Sequence, residues 1–173
     1  MASDHSDKKA YFEKLPDIAL IPYHIEIKSE KSAPMYPLCG KREIFCGPNL
    51  HNIESKERKF IRTNGRFFDI DEVLSQLNEN DKKIDIVFSI LEANRTCFPK
   101  NLSKLKCPKI AMISDTHHLM YPISSIIRYL KSENFEYMFI YGQPAHLHFF
   151  YEAGITHAAI FPRAPCHLNP RHK

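Results

Sequence analysis

From Arg42 onward the hydrophobic pattern switches between two periods. Unbroken apolar runs occur in "REIFCGPN", "KIDIVFSILEA", "KIAMISD", "FEYMFIYG" and "THAAIFP", the texture of strands buried on both faces of a sheet. Segments of helical spacing lie between them. "DIDEVLSQLNEN" sets Ile70, Val73, Leu74 and Leu77 on one face, with Asp69 as N-cap and acids in the first turn. "CFPKNLSKLK" has room only for a short helix or turn. "YPISSIIRYLKSEN" places Pro122 in a first turn and Ile123, Ile126, Ile127 and Leu130 on one face. "PAHLHFFYEAG" starts at Gln143-Pro144 and stops at Gly154, and its "HFFY" stripe reads as core packing. Strands alternating with helices of this length predict an α/β fold, a Rossmann-like three-layer sandwich with a mostly parallel sheet.

The first forty residues differ. They carry Pro16, Pro22, Pro34 and Pro37 and one strand-like run, "IALIPYHIEI". Pro22 argues for an edge or hairpin strand there rather than a central one. The expected organisation is therefore an arm or appendage over residues 1–41 and a Rossmann-like domain over 42–173.

Composition narrows the function classes. Hydrophobic residues make up 43% and charged residues 25%, as in an ordinary globular domain. The net charge of +4 is dispersed, too weak a footprint for nucleic acid. No apolar run approaches the roughly 18 residues of a membrane span. The opening "MASDHSDKKAYFEKLPD" has no apolar core of a signal peptide. A cytoplasmic chain is expected. Its five cysteines, Cys39, Cys46, Cys97, Cys107 and Cys166, form no CxxC pair, which fits buried thiols in a reducing compartment better than a disulfide framework.

In a parallel α/β sheet, ligands bind outside the carboxyl ends of the strands. That rule selects the residues following each predicted strand: Gly47, Pro48 and Asn49; Glu92, Asn94 and Arg95; Asp115, His117 and His118; and Gln143 after Gly142. The cluster in "SDTHH" joins a carboxylate to two imidazoles, a combination suited to proton transfer. Each position also has a plain structural use. Asp115 or Thr116 suits the cap of the next helix, Gly47-Pro48 is a turn dipeptide, and Glu92 with Arg95 suits a surface ion pair.

Several chemistries drop out. A strand followed by "SDTHH" resembles the D-x-H opening of metallophosphoesterases, but the later GD-x-x-D and GNH segments are missing. His146 and His148 are two apart and diverge on a helix, as do the adjacent His117 and His118, so no metal site is expected. No G-x-G-x-x-G or Walker A loop follows a strand, and no cofactor is expected.

"KCPKIAMISDTHH" followed by "YLKSENFEYMFIYGQPAHLHFFYEAGITHAAIFPRAPCHLNP" resembles the amino-terminal half of a GT-B glycosyltransferase of the CgeB-like or family-4-like kind. The matching pieces are Asp115 with His117, the strand from Phe135 to Ile140, Glu152 to Gly154, and Phe161-Pro162 through Ala164, Cys166 and His167. The resemblance covers residues 84–170. It implies an acceptor-side domain facing a second, donor-binding domain across a cleft, with a sugar acceptor and a nucleotide sugar as partners. It implies catalytic roles for Asp115, His117 and His118, one of which orients the acceptor hydroxyl or takes its proton. Together with the strand-end rule, this reading makes Gly47, Pro48, Asn49, Glu92, Asn94, Arg95 and Gln143 the expected substrate contacts. The chain ends at Lys173, where a GT-B protein crosses into its donor domain, so on this reading it is inactive alone. The alternative is a non-catalytic Rossmann-like or receiver-like protein-interaction module.

Overall fold

The computed structural model describes residues 13–24, 26–27, 39–92, 97–116, 120–141 and 143–161. They form an α/β fold around one mixed, mostly parallel sheet of eight strands in a Rossmann-like layout. In chain order the strands are β1 (Ile18–Pro22), β2 (Arg42–Gly47), β3 (Ile53–Glu54), β4 (Arg58–Arg62), β5 (Ile86–Glu92), β6 (Lys109–Asp115), β7 (Tyr137–Ile140) and β8 (Ala158–Ile160). Across the sheet they run β3-β4-β2-β1-β5-β6-β7-β8. Every pairing is parallel except that of β3 with β4.

The edge-strand expectation for "IALIP" is corrected. β1 is central, with β2 on one side and β5 on the other, although it lies in the stretch assigned to an arm. Pro22 is tolerated because it closes the strand. The Tyr23 amide donates to the Cys46 carbonyl at 2.8 Å, so by alternation the Pro22 nitrogen faces β5. That is where β1–β5 pairing has already stopped, at Leu20 opposite Val87. The missing N–H falls where no ladder bond is made.

β3 and β4 form a hairpin-like edge that the apolar pattern did not announce. Only Phe60 and Ile61 of "RKFIR" are buried, and the long polar stems around them mask the strand. The helix expected from Asp69 is short, α1 (Ile70–Leu74), and the Asp69 carboxylate caps it by accepting from the Asp71 amide. α2 (Pro122–Ser132) and α3 (Leu147–Glu152) follow, with 3-10 turns at Leu102–Lys104 and Pro144–His146. α2 and α3 end alike. Phe135 N–H reaches Leu130 O and Ile155 N–H reaches Phe150 O, around Asn134 and Gly154 at φ 56° and 83°. Within "HFFY" only Phe150 is core; Phe149 and Tyr151 are exposed.

The helices pack on one face of the sheet. α1 buries Ile70 and Val73 against Leu20, Ile44, Ile61 and Val87, while α2 and α3 bury Ile126, Leu130 and Phe150 against Leu91, Ile113, Met138 and Ile140. The crossovers from β4 through β8 all step the same way along the sheet, and a fixed crossover hand puts them on one side. On the other face, Ala19, Ile21, Phe45, Phe60 and Ile90 pack with Tyr23, Ile27 and Leu50.

Candidate functional site

The strand order reverses beside β1. The chain leaves β1 for β2 on one side, while β5 lies on the other, so the loops at the carboxyl ends of β1 and β5 part in opposite directions. This is the topological switch point at which open α/β sheets bind ligands. The early end of β1–β5 pairing opens it further.

Three side chains meet there. His24 follows β1, Glu92 ends β5 and Ser114 lies near the end of β6. Glu92 Oε2 is 3.8 Å from His24 Nε2, and the Ser114 hydroxyl donates to Glu92 Oε1 at 3.0 Å. The His24 side chain is 11% exposed and that of Glu92 28%. Ser114 thus fixes one carboxylate oxygen and leaves the other directed at the imidazole. Glu92 also lies opposite Asp115 across a register shift in the β5–β6 ladder, an irregularity that turns the end of the strand. The His24 backbone is held by Asn49, whose Nδ2 donates to the His24 carbonyl at 2.7 Å.

A second polar contact joins the ends of β6 and the turn before α3. Thr116 Oγ1 and His146 Nδ1 lie 2.6 Å apart, and Thr116 is buried. Thr116 therefore does not cap the next helix: α2 starts after Tyr121, which makes no side-chain cap bond. His148 diverges from His146, as expected, and its Nδ1 meets the Ala145 carbonyl at 2.7 Å. A carbonyl only accepts, so that nitrogen carries the proton.

The residues singled out in the sequence fall into three groups. Glu92 is in the crevice, and the backbone of Asp115 is at the carboxyl end of β6. Gly47, Pro48 and Asn49 lie beside it, but the close approach at Gly47 is made by the chain itself. A Cβ there would sit 1.8 Å from the Tyr23 carbonyl oxygen. Gln143 precedes the Pro144–His146 turn without a side-chain cap bond. Asn94, Arg95, His117 and His118 lie outside the described residues. His24, Ser114 and His146 complete the picture and were not singled out for it. The signal for His24 was its place directly after an apolar run, which the edge-strand reading of Pro22 concealed.

The four thiols among the described residues are buried or half-buried and form no disulfide with one another. Burial pushes Cys39 and Cys97 up to about 12, Cys39 with help from the Glu43 charge, and raises Cys46 and Cys107 as well. Such groups stay protonated and unreactive at neutral pH. A cleft of about 390 Å³ lies at the opposite rim, between the α2–β7 and α3–β8 turns, lined by Lys131, Asn134, Tyr137, Gly154 and His157 among others. It lies far from the strand carboxyl ends and is the groove left between two like helix ends. Among the described residues no three His, Cys, Asp or Glu converge as a metal site, and no helix is long and apolar enough to cross a membrane.

The chain matches no family model, no curated protein and no solved structure.

Proposed function

We propose that this chain is the acceptor-side, amino-terminal unit of a GT-B-like glycosyltransferase, and that the crevice between the ends of β1 and β5 holds the sugar acceptor. The observation that carries the reading is the pairing of His24 with Glu92 at the switch point of the sheet, 3.8 Å apart and steadied by Ser114. The resemblance over residues 84–170 supplies the reaction class.

In this account an acceptor hydroxyl lies against His24 Nε2; its proton passes to the imidazole as the oxygen bonds to the donor's anomeric carbon, whose bond to the diphosphate oxygen breaks so that the nucleoside diphosphate leaves with the bonding pair. Glu92 offsets the charge that His24 gains. The separation exceeds a hydrogen bond, as is common before a substrate tightens such a pair. The resemblance assigns Asp115, His117 and His118 to the acceptor side as well. The nucleotide sugar sits on a donor-binding unit outside this chain.

The test is ligand binding by calorimetry and saturation-transfer NMR, with a panel of free mono- and disaccharides set against nucleotide sugars. The expected result is saccharide binding that His24→Ala abolishes with the fold intact, and no binding of nucleotide sugar. Nucleotide-sugar binding by the chain alone, or saccharide binding indifferent to His24→Ala and Glu92→Gln, overturns the assignment.

A further inference from the structure

Large exposed apolar side chains gather at the β8 end of the sheet. Tyr137 and Tyr141 flank the β7 core, Ile160 and Phe161 lie in and just after β8, and Tyr151 lies on α3; each keeps 37–51% of its surface. Phe161 meets Phe139 edge-on at 6.1 Å and Tyr141 at 6.3 Å. Tyr137, Phe139, Tyr141 and Phe161 lie on the face that no described helix covers, while Ile160 and Tyr151 lie on the other side of the same edge, so the apolar surface wraps around β8.

Among the described residues β8 is the last strand of the sheet. Its ladder to β7 uses the His157 carbonyl, 2.9 Å from Met138 N, and the Phe161 amide, 2.8 Å from Ile140 O. By alternation Ala158 and Ile160 direct their backbone groups outward. The Tyr151 hydroxyl donates to the Ala158 carbonyl at 2.6 Å, which leaves Ile160 as the residue that offers both an amide and a carbonyl to a neighbour. The stretch from Ile155 to Phe161 contains no Lys, Arg, Asp or Glu. The opposite edge is built differently. On β3, Glu54 binds Arg42 at 2.7 Å and Lys59 at 3.4 Å, and charges of this kind discourage strand addition.

We propose that the β8 end is a homodimer interface, with a second copy of this chain adding its β8 antiparallel across a two-fold axis beside Ile160. At the 150–250 Å² that a large side chain offers, the exposed parts of these five, with Ala159 and Phe139, present about 500 Å² of apolar surface. A standard interface takes about 800 Å² from each partner, of which about 65% is apolar in homodimers. The patch therefore matches what one side of a stable dimer requires. A two-fold axis is satisfied by one self-complementary patch: each Ile160 amide meets the partner's Ile160 carbonyl, and the tyrosine strips close over the joint.

Sedimentation of the whole chain across a concentration series tests this, beside Ile160→Lys and Tyr141→Lys. Both sites are exposed, so circular dichroism should show either variant folded, and the second decides if the first is not. The expected mass is twice the 20.2 kDa of the chain, with the dimer's dissociation constant raised about 30-fold or more by either lysine. A monomer at every concentration overturns the proposal. So does a dimer that neither substitution weakens.

Discussion

The two rims of the sheet use the same residue types to opposite ends. At the amino-terminal rim, charges are matched and consumed. Arg42 holds Asp81 through two nitrogens at 2.7 and 3.0 Å, reaches Glu54, and donates to the carbonyls of Ser55 and Lys56. Arg58 binds the buried Glu43 at 3.0 Å, and Asp85 accepts the first amide of β1 at 2.9 Å. At the carboxyl-terminal rim, polar groups from the ends of three strands are brought together at the mouth of the crevice. Glu92 and His24 stand 3.8 Å apart beside a strand that ended early. A sheet can anchor its strand starts with ion pairs because nothing has to enter there. Strand ends at a switch point are where open α/β sheets admit ligands, and the proposed acceptor crevice rests on that difference.

The largest expected effect is on stability at alkaline pH, and it reports on both rims. Cys39 lies beside Glu43 at one rim and Cys97 beside Gly47 at the other, each pushed up to about 12 from 9.0. A raised folded-state value means stability is whole below pH 9 and falls as pH rises toward 12, by about 1.4 kcal/mol per unit for each thiol. Denaturant titrations of Cys39→Ala and Cys97→Ala between pH 8 and 12 should each flatten that fall, and whichever flattens it more names the rim that yields first.

Next in size is the amino-terminal network. Arg42→Ala leaves Asp81, whose side chain is 6% exposed, with only the more distant Lys59 ammonium at 4.0 Å, and should cost about 3 kcal/mol in urea unfolding, with binding at the other rim unchanged. Gly47→Ala follows at about 2 kcal/mol, since its Cβ collides with the Tyr23 carbonyl. It should also displace Tyr23 and His24 and so weaken binding, which Arg42→Ala does not. Smallest is Glu92→Gln. A pair 3.8 Å apart at the mouth of a crevice contributes little, so its unfolding free energy should move by less than about 1 kcal/mol while saccharide binding is lost. Equal stability losses for Arg42→Ala and Glu92→Gln would erase the contrast between the rims.

The legible parts of the fold were those in which one signal dominated. β5 and β6 are unbroken apolar runs, Asp69 announced α1, and Gly154 announced the end of α3. β4 was hidden because an outer strand needs only Phe60 and Ile61 inside and carries arginines to its ion pairs. β1 was hidden because a proline in the last position of a central strand looks, without its neighbours, like a proline in an edge. The site suffered from the same cause. The rule about strand ends found Glu92 and placed Asp115, but His24 belonged to a strand whose rank in the sheet only its partners reveal. The contact of Thr116 with His146 spans 30 positions and has no local signature.

The most direct test of the central claim is the pattern of amide chemical-shift changes when the chain is titrated with a bound saccharide. The account predicts changes centred on His24, Glu92, Ser114 and Thr116, with Asn49 at the margin and the strand starts silent. Changes centred instead on Asn134, Tyr137, Gly154 and His157, around the cleft at the opposite rim, would contradict it.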